Sequence, residues 1–128
     1  MNNTETYLRS VDRNDCSVRA LANIGGFTYD EAFNICKAAG RKDGRGMNKS
    51  VWLPLFKKHA DMEFSRYLSD FKTIKSLSSK LTERGGTYLV HIRRHVAVFK
   101  DGQWLDWIDD NRLHRVKAVW KVTDKEVA

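Results

Sequence analysis

The chain is 128 residues long, 41% hydrophobic and 30% charged, with 4 Trp, 4 Tyr and 6 Phe. That is the size of one domain with one core, and the balance excludes a disordered chain and a disulfide-packed miniprotein. No run approaches the roughly 18 apolar residues of a membrane span, while 23 Lys+Arg against 16 Asp+Glu leave +7, a charge that permits a nucleic acid or an acidic protein as partner without requiring either.

Met1 to Ser10 is polar and lacks the apolar centre of a signal peptide, so the expected location is the cytoplasm. Asn14 or Asp15 can cap a helix from Cys16 to about Asn23, closed by Gly25-Gly26, because glycine enters the left-handed cap freely. Thr28-Tyr29-Asp30-Glu31 is a capping box that opens a second helix to about Ala39, with Phe33, Ile35 and Cys36 along its inner side. Gly40 to Gly46 follows as a surface loop, with Arg41, Lys42, Gly44, Arg45 and Gly46 as candidate substrate-side residues of a flap. The loop lacks the GxxxxGK[ST] order of a phosphate cradle.

A third helix is expected over Asn48 to His59, with Pro54 near its first turn. A fourth is expected over Phe71 to Thr82, where Ile74, Leu77 and Leu81 recur at helical spacing. The period then changes. Gly86 to Ile92 is rich in β-formers, and His95 to Lys100 and Gln103 to Trp107 flank Asp101-Gly102, a strong short hairpin signal. Arg115 to Val122 alternates as a last strand. The predicted class is α+β, with N-terminal helices packed on a C-terminal antiparallel sheet, residues 1–122 forming one domain and 123–128 a frayed tail.

Chemistry concentrates on three residues. Cys16 sits at a predicted helix start, where backbone N–H groups and the helix dipole favour the thiolate, the nucleophilic form of cysteine. Cys36, among Phe33, Ile35 and Ala38, reads as a small core residue. With Asp101-Gly102 as a two-residue loop, Ala97 faces Asp106, and His95 lies two residues from Ala97 on the same face. An imidazole and a carboxylate can hydrogen-bond across that offset, at a Cα spacing on the order of 5–8 Å. Cys16, His95 and Asp106 thus supply a nucleophile, a base and a residue to orient the base.

Other readings compete. His91 and His95 on one face would offer the paired imidazoles of a ribonuclease, and a metal site from His91, His95 and Asp106 has no ligand spacing behind it. A nucleic-acid binder would use Arg41 to Lys49, Lys57-Lys58 and Arg93-Arg94, with Trp52 or Trp104 for stacking. His59 and His114 read as solvent-facing. No metal and no cofactor is expected.

These residues carry a resemblance to the papain-like superfamily of cysteine peptidases. HVAVFKDGQWLDW resembles the His and Asp strands of the bacteriocin-processing double-glycine peptidases, and DRNDCSVRAL is similar to the nucleophile motif of ovarian-tumour-type deubiquitinases. The chain also looks like small uncharacterised phage and bacterial proteins that share an NDCxVRAL start, a GR-rich loop and a C-terminal WxV strand. The resemblance implies a papain-like fold and a peptidase, isopeptidase or amidase that works through a thioester, with Cys16, His95 and Asp106 as the triad. Papain-like enzymes often carry a glutamine six residues before the cysteine. Ser10 stands there, so the expected oxyanion donors are the Cys16 backbone N–H with either Asn14 or a backbone N–H from residues 12–14. The resemblance further implies a phage-encoded factor acting on a protein or peptide in the host cytoplasm. The alternative is a catalytically idle papain-like module that binds an acidic protein or nucleic acid.

Overall fold

The computed structural model describes residues 15–92, 95–105 and 115–124. Helix α1 (Cys16–Gly25) ends on Gly26, whose φ of 70° is the left-handed cap that the Gly25-Gly26 pair predicts. Helix α2 (Tyr29–Ala38) opens on the complete capping box: the Thr28 side chain accepts from the Glu31 backbone N–H, and the Glu31 side chain accepts from the Thr28 N–H. The Thr28 backbone N–H, and after it the Thr28 side chain, hold the Glu31 carboxyl below its ordinary pKa. Thr28→Ala should cost about 1 kcal/mol in urea unfolding, the usual value of a lost cap.

Helix α3 (Lys49–His59) begins one residue after the expected Asn48 and holds Pro54 at its sixth residue, in the second turn and not the first. A proline there leaves the Ser50 carbonyl without its helical donor. Both Ser50 and Pro54 are exposed, so water can take that acceptor. Helix α5 (Ile74–Arg84) begins three residues after the expected Phe71, because the Thr73 side chain accepts from the Ser76 N–H and sets the start there. Ile74, Leu77 and Leu81 are its buried stripe.

Two elements carried no sequence signal. Strand β1 (Ala60–Phe64) follows α3 directly, and the one-turn helix α4 (Arg66–Ser69) follows β1. Then come β2 (Thr87–Ile92), β3 (His95–Lys100), β4 (Gln103–Trp104) and β5 (Val116–Asp124). The five strands form one antiparallel sheet in the order β1-β5-β2-β3-β4. Strand β5 continues through Thr123 and Asp124, opposite Asp61 and Ala60, two residues into the segment expected to be a frayed tail. The β3–β4 turn has φ of 49° at Asp101 and 86° at Gly102, both positive as a type I′ turn requires, with Lys100 opposite Gln103 as predicted.

The class is α+β, as the order of helical and strand patterns predicts, and the helices lie on both faces of the sheet. On one face α1, α2 and α3 bury Val18, Leu21, Ala32, Trp52 and Phe56 against Leu89, Val96, Val98, Ala118 and Trp120. On the other, α4 and α5 bury Leu68, Ile74, Leu77 and Leu81 against Tyr88, Val90, Phe99 and Val119. Alternation along β2, β3 and β5 supplies apolar side chains to both faces, which is why β2 and β3 are almost continuously buried and β5 is buried from Ala118 to Trp120.

Candidate active site

Cys16 is the first residue of α1, half-buried and packed against the α1–α3 side of the core. The residue before it is held firmly. Asp15 is only 4% exposed; its Oδ2 accepts from the Tyr29 hydroxyl at 2.8 Å, and its Oδ1 meets Arg19 Nε at 3.1 Å. The Asp15 side chain makes no capping bond to its own helix. This carboxylate therefore ties the start of α1 to α2 instead of occupying the first N–H groups of the helix. Sequence reading treats Asp15 as a cap; its neighbour Tyr29, fourteen positions on, makes the difference.

The direction of α1 follows from three contacts. Asn23 Nδ2 donates to the Leu105 carbonyl at 3.4 Å, and the Leu105 N–H in turn bonds Val98. Past the helix, the Phe27 ring stands edge-on to His59 at 5.1 Å, and His59 precedes Ala60 at the Lys100 end of the sheet. Helix α1 therefore runs the same way as β3. From Asn23 back to Cys16 is about 10 Å of helix, and from Val98 back to His95 about 10 Å of strand. Cys16 and His95 consequently open neighbouring elements at one end of the sheet. Asp106 and Asn14 lie outside the described residues.

The pairing register separates the two histidines expected to share a face. His91 is opposite Val96 and Ala118, which face α1 and α3, whereas His95 is opposite Ile92 and alternates with Ala97 and Phe99 toward α5. The reason is parity: His95 pairs with Ile92, the neighbour of His91, so the two imidazoles belong to adjacent pairs pointing opposite ways. A ribonuclease-like pair is not formed on one face. Among the described residues, no group of three or more His, Cys, Asp or Glu side chains is placed to hold a metal.

His91 stands edge-on to Trp52 at 5.4 Å, with Nδ1 buried and unpaired. Burial pushes its pKa down to about 4, with Lys49 and Lys117 adding to the effect. A depressed imidazole contributes stability that is complete above the unfolded value near 6.5 and is lost as pH falls from there toward 4. Partial exposure reduces the effect to about 2 kcal/mol. His91→Phe should flatten the stability profile across that window relative to wild type, as read by urea midpoints.

The Gly40 to Gly46 loop divides. Arg41 is 5% exposed, its guanidinium 5.6 Å from the Phe33 ring centre and its backbone N–H donating to the Cys36 carbonyl. It is packed inward and cannot serve as part of a mobile flap, because an amphipathic arginine stem buries well against an aromatic ring. Lys42, Arg45 and Gly46 are exposed, and Gly44 is half-buried with φ of 77°. Cys36 is fully buried, as expected of a core cysteine, and burial pushes its thiol up to about 11, with Arg41 pulling the other way.

The stacking rings expected for nucleic acid are engaged elsewhere. Trp52 is 3% exposed between Phe56, His91 and Trp120, and Trp104 packs edge-on to Phe99 while its Nε1 donates to Ser78 Oγ at 3.1 Å. His59 is half-buried against Phe27 where solvent exposure was expected. Arg93, Arg94 and His114 lie outside the described residues. Among the described residues no helix is long and apolar enough to cross a membrane. No protein-family model, no curated protein and no solved structure matches the chain.

Proposed function

We propose that the chain is a papain-like cysteine hydrolase acting on a peptide, isopeptide or related amide bond. The Cys16 thiolate attacks the carbonyl carbon; the amine leaves with a proton from His95, and a thioester forms. A water that gives its proton to His95 then attacks the thioester, releasing the acid and the thiol. Asp106 is the residue assigned to hold the His95 tautomer, and Asn14 with the Cys16 N–H the donors to the oxyanion. The carrying observation is that α1 and β3 run the same way and open together, with Cys16 and His95 as their first residues. The register turns His95 toward the α5 face while Cys16 packs on the α1–α3 side, so this reading requires the two side chains to meet past the end of the sheet.

The test is the pH dependence of Cys16 alkylation by iodoacetamide, read by intact mass in wild type, His95→Ala and His91→Ala. An unperturbed thiol titrates near 8.5. The expected result is rapid reaction of Cys16 at pH 6, slowed at least about tenfold by His95→Ala and little by His91→Ala, with Cys36 silent throughout. Equal rates in all three proteins would remove the catalytic reading. Slowing by His91→Ala alone would transfer the base to His91.

A further inference from the structure

The charge of this protein is not spread evenly. From Lys37 to Lys58 the chain carries 7 Lys and Arg against a single carboxylate, Asp43, so +6 of the overall +7 lies in this one segment. It comprises the last turn of α2, the glycine loop and nearly all of α3. Except for the inward Arg41, every one of these cations is exposed.

The solvent side of α3 has a pattern of its own. Trp52 and Phe56 face the core, which leaves Ser50, Val51, Pro54, Lys57 and Lys58 on the outer stripe at helical spacing. Val51 is 38% exposed, one of three large hydrophobic residues so placed among those described. Val51 and Pro54 therefore form a small apolar centre, with Lys42 and Arg45 before the helix and Lys57 and Lys58 in its last turn. A modest apolar centre inside a charged rim is how protein interfaces are built.

We infer that the outer face of α3 and the preceding loop form a docking surface for an acidic protein, whose carboxylates meet the rim and whose apolar side chain meets Val51 and Pro54. Charge complementarity selects a polyanion, and two features favour protein over nucleic acid. Both aromatic rings in the segment are turned into the core, so bases have nothing to stack on. A phosphate backbone would also make no use of the apolar centre. The inference does not rest on the chemistry of Cys16. If that chemistry holds, this surface is where an acidic substrate protein is gripped.

The test uses a fluorescein-labelled peptide of alternating glutamate and leucine, with single-stranded and duplex DNA of matched charge, by anisotropy at about 0.15 M ionic strength. Lys42→Gln/Arg45→Gln/Lys57→Gln should weaken peptide binding about tenfold, and Val51→Ser about three- to fivefold. A control with the same loss of charge, Lys72→Gln/Lys75→Gln/Lys100→Gln, should change it less than about twofold. All substituted side chains are exposed, and circular dichroism checks that the fold is kept. No measurable peptide binding, or equal weakening by the control, would overturn the inference. DNA binding tighter than the peptide and indifferent to Val51→Ser would make the surface a nucleic-acid interface and overturn it equally.

Discussion

Phe56→Ala is expected to destabilise the protein by about 3–5 kcal/mol, whereas Phe64→Ala should cost less than about 0.5 kcal/mol. Phe56 is fully buried beside Trp52, ring centres 5.2 Å apart, and Trp52 in turn meets Trp120 at 5.9 Å and His91 at 5.4 Å. Removing the ring deletes both its transfer free energy and the contacts of a chain of aromatics that joins α3 to β2 and β5. Phe64 touches Trp120 at 6.0 Å but is 54% exposed, so little burial is lost with it. Domains of this size hold only about 5–15 kcal/mol in total, so Phe56→Ala removes a large part of the margin. The check is a urea midpoint that falls sharply with an unchanged slope. Near-equal costs at the two positions would mean that the helical layer is not packed as described.

Asp15→Ala is expected to cost about 2–4 kcal/mol, less than the loss of a wholly buried ion pair because Arg19 is partly solvated. The substitution removes the carboxylate that the Tyr29 hydroxyl and the Arg19 guanidinium share. Asp15→Asn should cost less, since the amide oxygen still accepts from Tyr29. A double-mutant cycle with Tyr29→Phe should give a coupling of about 1–2 kcal/mol between the two positions. Additive losses would mean that the hydroxyl and the carboxylate act separately. As Asp15 adjoins Cys16, the same variants would report how far the start of α1 depends on its tie to α2.

Much of the local structure was legible because it is set by chemistry a few residues wide. The Thr28-Glu31 box, the Gly26 cap, the Ile74-Leu77-Leu81 stripe and the Asp101-Gly102 turn are each complete within one or two helical turns or one hairpin. The β3–β4 register, from which Asp106 was placed near His95, holds as far as Leu105 against Val98. Strand β1 was not legible. Its Asp61 and Glu63 sit on the solvent side of a short edge strand that exists only because β5 is there to pair with it. Nor was the inward turn of Arg41, which needs the Phe33 ring and the Cys36 carbonyl of a helix already folded.

The amino-acid sequence by itself determined that this is a basic α+β chain with a cysteine at a helix start, a histidine at a strand start and a type I′ hairpin beside it. Only the tertiary structure decided that helices cover both faces of the sheet, that α1 runs with β3 and brings Cys16 to the His95 end, and that His91 and His95 face opposite ways. Caps, turns and periodicity depend on neighbours in the chain. Helix direction, sheet order and the face a side chain takes depend on pairings between residues far apart, and no local pattern encodes those.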